Sequence, residues 1–396
     1  MKMTISLSGA LAAVLFAGAC TSEPDPCTPG NVCVYAGTGD PGYNNQNPNA
    51  DRRDSKLYYP YDMTFGPDGR GYIVDWNNHL VRRVEKDDSL RIIMGTDYEG
   101  DGSPGETDRL PTCNPEGAVG TDVALNHPTD AKFGPDGKLY VAAWHNNKIR
   151  VIDPDTDMVT SLAGNSYGFK GDGGAGCDAI FSQPKSILFG DDGTLYTIDQ
   201  RNVRIRAFAT DAQRTITTFA GMGKTGNTGD GGPASAAMFG FDTKPTPDPT
   251  GALAIKGNFM YVADSINNRI RRIDMTTGIV DCIAGSQDDP SPGYSGDGGP
   301  ALAAKFNWPM DLEWGPDGRL YVADSNNSAI RAIDLDTGII ETVAGTGTAC
   351  DVTTSKCPLG AALKTPLNLP QGIAFDAAGN LFIADTHNHR MLKVTK

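Results

Sequence analysis

The chain has 396 residues, 39% hydrophobic and 21% charged, which is the composition of a folded protein rather than a disordered one. Its 34 Lys and Arg against 48 Asp and Glu give a net charge of -14. Such a surface repels nucleic acid and anionic membranes, so it argues against both as partners and favours cations.

The first twenty residues read as an export segment. Lys2 is followed by the apolar run Leu11 to Ala17, then Ala17-Gly18-Ala19-Cys20. A charged start, a short apolar core and small residues at a cleavage point mark an export signal, too short for a permanent span. The small-small-Cys ending resembles the lipobox of bacterial lipoproteins, which implies lipidation of Cys20 and anchorage to the cell envelope. In a host with two membranes that would be the outer one, since Thr21 is no retention signal; plain secretion is the alternative. Residues 21–31, polar and Pro-containing, read as a short tether.

Export makes disulfides plausible for the other seven cysteines. Cys27 and Cys33 flank five residues, and Cys350 and Cys357 flank six, so each pair is a candidate bridge. Cys113 and Cys177 lie in long loops of consecutive repeats. The odd thiol out is expected at Cys282, inside the strand-like run Gly278 to Ile283. Sequence alone leaves the connectivity open.

From residue 32 onward one pattern repeats six times. Pro60, Pro128, Pro184, Pro249, Pro309 and Pro370 each stand fifteen residues before Asp75, Ala143, Asp199, Asp264, Asp324 and Asp385. Three residues further on come Asn78, Asn146, Asn202, Asn267, Asn327 and Asn388, and four beyond those, five in the last unit, a cation: Arg82, Arg150, Arg206, Arg271, Arg331 and Lys393. Each unit carries four short strand signals separated by turns such as Gly66-Pro67-Asp68-Gly69, which predicts an all-β meander. The segments Gly171 to Gly174, Gly229 to Gly232 and Gly296 to Gly299, each Gly-Asp-Gly-Gly, read as tight surface turns.

Asn78-His79-Leu80 is literally the triplet for which the NHL repeat is named, and the segments from Asp264 and Asp385 are similar. The resemblance covers residues 32–396. It implies a six-bladed β-propeller of four-stranded antiparallel blades, with the Pro-led strand innermost around a central channel. Blade four is the least regular, with Ala254 where other blades carry Phe65, Phe133, Phe189, Trp314 or Phe375. The last unit ends without a fourth strand, and residues 32–39 supply the missing one, closing the ring and covering two open edges. The domain plan is therefore 1–20 signal, 21–31 tether and 32–396 one propeller, expected as a monomer.

The resemblance places Asp62, Asp130 and Asp311, two residues after their Pro, near the channel mouth. Three carboxylates about one axis could hold calcium through oxygen ligands. The five histidines, His79, His127, His145, His387 and His389, all fall in blades six, one and two, contiguous in a closed ring. Trp76 and Trp144 occupy equivalent loops of blades one and two. Aromatic rings beside imidazoles could bind a sugar or peptide. Histidines from separate loops could also ligate zinc, and some relatives with this fold are zinc lyases acting on hydroxylated glycine at peptide ends. No Gly-x-Ser-x-Gly elbow or His-Glu-x-x-His pair is present. The expectation is an envelope-anchored, non-enzymatic recognition propeller binding a protein, peptide or glycan through Trp76, Trp144, His127, His145 and Asp130. The competing reading is a metal-dependent lyase or hydrolase at the channel mouth, and no cofactor is firmly implied.

Overall fold

The fold is that of a computed structural model, which describes residues 27–43, 50–96, 100, 113, 116–164, 166–286, 289–355 and 357–396. The export segment, Cys20 and most of the tether lie outside the described residues. Six antiparallel sheets form the six blades of an all-β propeller. Blade one runs Pro60–Phe65, Gly71–Asp75, Leu80–Val84 and Leu90–Met94 from the channel outward. The inner strands of successive blades touch in cyclic order, and that of blade six returns to that of blade one. Blades two, four and five gain a fifth, two-residue outer strand: Ala118–Val119, Gly232–Pro233 and Gly299–Pro300. The helices among the described residues are three-residue 3-10 turns.

Ring closure uses Val32–Ala36, which pairs antiparallel with Arg390–Val394 in the register Val32↔Val394 and Val34↔Leu392. Gly37 ends this strand at φ +93, where a Cβ would stand 2.6 Å from the His389 carbonyl oxygen. The same approach recurs at Gly285, whose Cβ would meet the Asn268 carbonyl at 2.6 Å. Glycine follows the fourth strand because only glycine fits there.

Blades pack through a repeated edge-to-face pair, a second-strand ring against the ring ending the next inner strand. Tyr72–Phe133, Tyr140–Phe189, Tyr261–Trp314 and Tyr321–Phe375 have centroids 5.0, 4.8, 5.2 and 4.9 Å apart. Phe382 and Phe65 make the sixth-to-first junction at 4.8 Å. Such pairs add about 0.5–1.5 kcal/mol each beyond their area burial.

Blade four breaks the series, and the register of its sequence anchors shifts. Its inner hairpin pairs Leu253↔Val262 and Ile255↔Met260, whereas blade five pairs Leu312↔Val322 and Trp314↔Leu320. Ile255, not Ala254, therefore replaces the junction aromatic. Ala252, not Gly251, stands level with Asp311. The two-residue turn at Gly257-Asn258 is shorter than the Gly-Pro-Asp-Gly turn, so counting from Pro249 misplaces the strand by one.

The Asp-Asn-Arg set is a buried clasp. Asp75 accepts hydrogen bonds from the Tyr58 N–H at 2.8 Å and Asn78 Nδ2 at 2.8 Å, and meets Arg82 at 2.7 Å. Asp324 does the same with Asn307, Asn327 and Arg331. In blade six the cation is Arg390, 2.9 Å from Asp385, and not Lys393. The Gly-Asp-Gly-Gly turns join the clasp: Asp172, Asp230 and Asp297 reach Arg206, Arg271 and Arg331 at 2.7, 2.6 and 2.6 Å. A buried guanidinium is tolerated only when its donors are met in this way.

Three disulfides are formed, Cys27–Cys33, Cys113–Cys177 and Cys350–Cys357. Cys282 is buried, its thiol 3.5 Å from the Ala284 carbonyl.

Candidate ligand site at the channel mouth

Two rows of side chains surround the channel where the inner strands begin. The first row precedes each inner strand at positive φ: Tyr59, His127, Gln183, Trp308 and Leu369, at 53, 53, 63, 57 and 45°. The second row opens the turn after each repeat Asp. In blades four and six it is a hydroxyl that donates to the next blade's backbone, Ser265 Oγ to the Pro309 carbonyl at 2.6 Å and Thr386 Oγ1 to the Pro60 carbonyl at 2.8 Å. Blade three has Gln200 there, and blades one and two have Trp76 and Trp144.

The two tryptophans have different surroundings. Trp144 is 1% exposed, with its indole N–H donating to Gln200 Oε1 at 3.1 Å and its ring stacked on His145 at 4.1 Å. It offers no face to a ligand, contrary to its assignment from sequence. Trp76 is half-buried and lines a cavity of about 410 Å³ with Tyr59, Tyr61, Trp308, Gln371 and Asp248. Its Nε1 is buried without a hydrogen-bond partner, as is Oε1 of Gln371. Buried polar atoms are normally paired, so these two, on residues that line the cavity, are exceptions.

Asp248 comes from an extension peculiar to blade four, Asp242 to Pro249. Asp242 Oδ1 accepts the Lys244 N–H at 3.0 Å and Oδ2 the Asp248 N–H at 3.1 Å. Gln200 Nε2 donates to the carbonyls of Asp242 at 2.9 Å and Asp248 at 2.8 Å, while its Oε1 accepts the Thr250 N–H at 3.0 Å. The extension is thus fastened from below by Gln200, which Trp144 in turn holds. The exposed Asp248 carboxylate accepts no hydrogen bond and forms no ion pair among the described residues. Its charge acts on both Tyr61 and His387.

The histidines form an arc along the same rim. His127 sits 4.3 Å from the Trp76 ring and 4.5 Å from that of His79. Its Nδ1 is 2.6 Å from Asn126 Oδ1 and 3.0 Å from His145 Nδ1, and its backbone N–H donates to His79 Nδ1 at 3.1 Å. Burial pushes His127 down to about 3, helped by His79 and His145, and burial with His387 takes His389 to about 4. These two imidazoles are neutral at pH 7 and largely engaged with their neighbours. Among the described residues no group of three or more His, Cys, Asp or Glu side chains is placed to hold a metal ion.

Asp62, Asp130 and Asp311 lie inside the channel rather than at its mouth, 4, 4 and 8% exposed. Two of them bond the next inner strand: Asp130 Oδ2 accepts the Ile187 N–H at 2.7 Å and Asp311 Oδ2 the Ile373 N–H at 2.8 Å. The cation among them is built in, because Lys132 Nζ stands 3.5 Å from Asp62, 3.7 Å from Asp130 and 3.8 Å from Glu313. Burial works against the Lys132 charge, but these carboxylates outweigh it and hold the ammonium well above its ordinary value. Burial drives Asp62 well above the usual carboxylate range, partly opposed by Lys132.

The structure therefore brings Trp76 and the histidines to one rim, places the three aspartates beneath it, and encloses Trp144. Sequence reasoning missed Tyr59, Tyr61, Trp308, Gln371, Gln200 and Asp248. One signal was present for Trp308 and Tyr59, large rings directly before the repeat Pro. Another was the Pro-rich extension of blade four.

A family model for the NHL repeat matches residues 367–394. NHL repeat-containing protein 2 of Bos taurus is 28% identical over 366 residues, covering 85% of this chain and 46% of that protein. The chain thus spans about half the length of the curated relatives it matches. Among solved structures, a structural genomics protein of unknown function from Bacteroides thetaiotaomicron superposes with a TM-score of 0.64 at 16% identity, covering 92% of this chain and 75% of the other. An auxiliary nutrient binding protein from Bacteroides ovatus gives 0.61 at 17% identity, with 92% and 76% covered. At these identities the likeness is one of fold. The chain is a six-bladed β-propeller whose last repeat, at residues 367–394, matches the NHL repeat.

Proposed function

We propose that this propeller is an exported recognition protein that seats a group of its ligand, a protein, peptide or glycan, in the cavity at the channel mouth. One observation carries the reading: the cavity of about 410 Å³ is walled by Tyr59, Tyr61, Trp76 and Trp308, and two of its lining residues, Trp76 and Gln371, carry a polar atom without a hydrogen-bond partner. Apolar walls with a few convergent polar atoms are the ordinary make-up of a small-group binding site. Three disulfides support an oxidising compartment, and attachment through Cys20 belongs to the same proposal. The likeness to an auxiliary nutrient binding protein is compatible with this reading, and the cavity is what supports it.

The test is capture of glycans and peptides from arrays by the purified protein and by the Trp76→Ala, Trp308→Ala double variant. Hits of the parent protein should be lost in the variant while its melting transition stays cooperative. Undiminished capture by the variant would place the site elsewhere.

A further inference from the structure

The walls of the mouth cavity carry an asymmetry of charge. Among its lining residues there is one carboxylate, Asp248, and neither Lys nor Arg. That carboxylate is exposed at the rim and has no counter-ion among the described residues, although the repeat elsewhere pairs its acids closely with arginine. It is also deliberately placed, on an extension that no other blade has, fastened by Asp242 and Gln200.

We propose that the cavity selects an organic cation, a substituted ammonium or a guanidinium group, held among the Tyr59, Trp76 and Trp308 rings with Asp248 as its counter-ion. This rests on the mouth being the ligand site. Aromatic faces attract cations through their quadrupole, most strongly where water is excluded, and Trp is the best of them. The mouth already shows that preference within the chain. Lys185 Nζ lies 5.4 Å from the Tyr61 ring, beneath the cavity floor, and Lys244 Nζ lies 5.8 Å from the Trp308 ring. The net charge of -14 draws cations from a distance. The cation could be a free solute or the end of a basic side chain, and the test separates the two.

Calorimetric titration of the full protein would compare choline with its neutral carbon isostere dimethylbutanol. In parallel it would compare a blocked Gly-Arg-Gly peptide with its Gly-Gln-Gly counterpart. A cationic probe should bind at least about tenfold more tightly than its neutral partner. Asp248→Asn should bring that ratio close to parity with an unchanged melting temperature, since the carboxylate is exposed. Preference confined to choline assigns a free solute, and preference confined to the arginine peptide assigns a side chain. Parity in the parent protein, an unchanged ratio in Asp248→Asn, or no binding of either cation at millimolar concentration would overturn the proposal. If array hits are lost in the Trp76→Ala, Trp308→Ala variant while cations and neutral probes bind alike, the mouth remains the site and only its charge preference is wrong.

Discussion

Gln200→Leu isolates the device that positions Asp248. Leucine keeps the volume and removes four hydrogen bonds: those from Trp144 Nε1 at 3.1 Å and the Thr250 N–H at 3.0 Å, and those to the carbonyls of Asp242 at 2.9 Å and Asp248 at 2.8 Å. Gln200, Trp144, Asp242 and Thr250 are all buried, so three of the four partners lose their bond away from water, while the exposed Asp248 can be hydrated. At about 1–2 kcal/mol for each buried orphan, the loss is about 3–6 kcal/mol. For a propeller of about 365 residues, an unfolding entropy of about 2.1 cal/mol/K per residue converts this to a melting-point drop of about 4–8 °C. Differential scanning calorimetry reads that drop. Hydrogen exchange should show faster exchange over residues 242–250 than elsewhere, because the extension loosens first. Cation binding should weaken although Gln200 does not line the cavity. A melting point within about 1 °C of the parent, with unchanged exchange in that segment, would refute the role given to Gln200.

Other consequences can be checked independently. Deleting residues 27–36 removes the strand that covers Arg390–Val394 and exposes buried Leu392, so the product should elute as aggregates in size-exclusion chromatography. His127 has a folded value of about 3 against an ordinary 6.5, so the unfolded chain takes the proton first as pH falls. The stability this contributes is complete above about pH 6.5 and is lost progressively down to about pH 3; urea unfolding at pH 7 and pH 4 should show a smaller acid loss in His127→Gln. Lys132→Met leaves Asp62 and Asp130 buried without their ammonium and should destabilise the protein by about 3–5 kcal/mol in the same assay. Under non-reducing conditions a thiol reagent should modify Cys282 only after unfolding, with mass mapping showing the other described cysteines as three linked pairs.

The fold was legible because its signals are periodic. Pro, Asp, Asn and Arg recur at fixed offsets, and a missing last strand implied a first one to replace it. The register failed in blade four, where the hairpin loop through Gly257-Asn258 is one residue shorter between equivalent strand positions and the Pro anchor slips, and in blade six, where the clasp cation is Arg390 rather than Lys393. The site was less legible because its members come from different positions in different blades. Trp76 and Trp144 are equivalent in sequence, yet Gln200 lies within reach of Trp144 and turns it into a buried strut, whereas Trp76 faces the open mouth. The channel aspartates read as cation ligands until Lys132, two residues after Asp130, supplies the cation from within the chain. Asp248 carried no motif at all: its meaning lies in where the blade-four extension ends, which only the ring geometry brings beside Trp76 and Trp308.

Entry of ligand into the ring-walled mouth is tested most directly by a crystal structure of the protein with an array-selected ligand. Density for a ligand group is expected between Trp76 and Trp308, beside the other lining rings Tyr59 and Tyr61. Density at the opposite channel opening beside Lys132 and Glu313, or on the outer blade edges with the mouth empty, would contradict it.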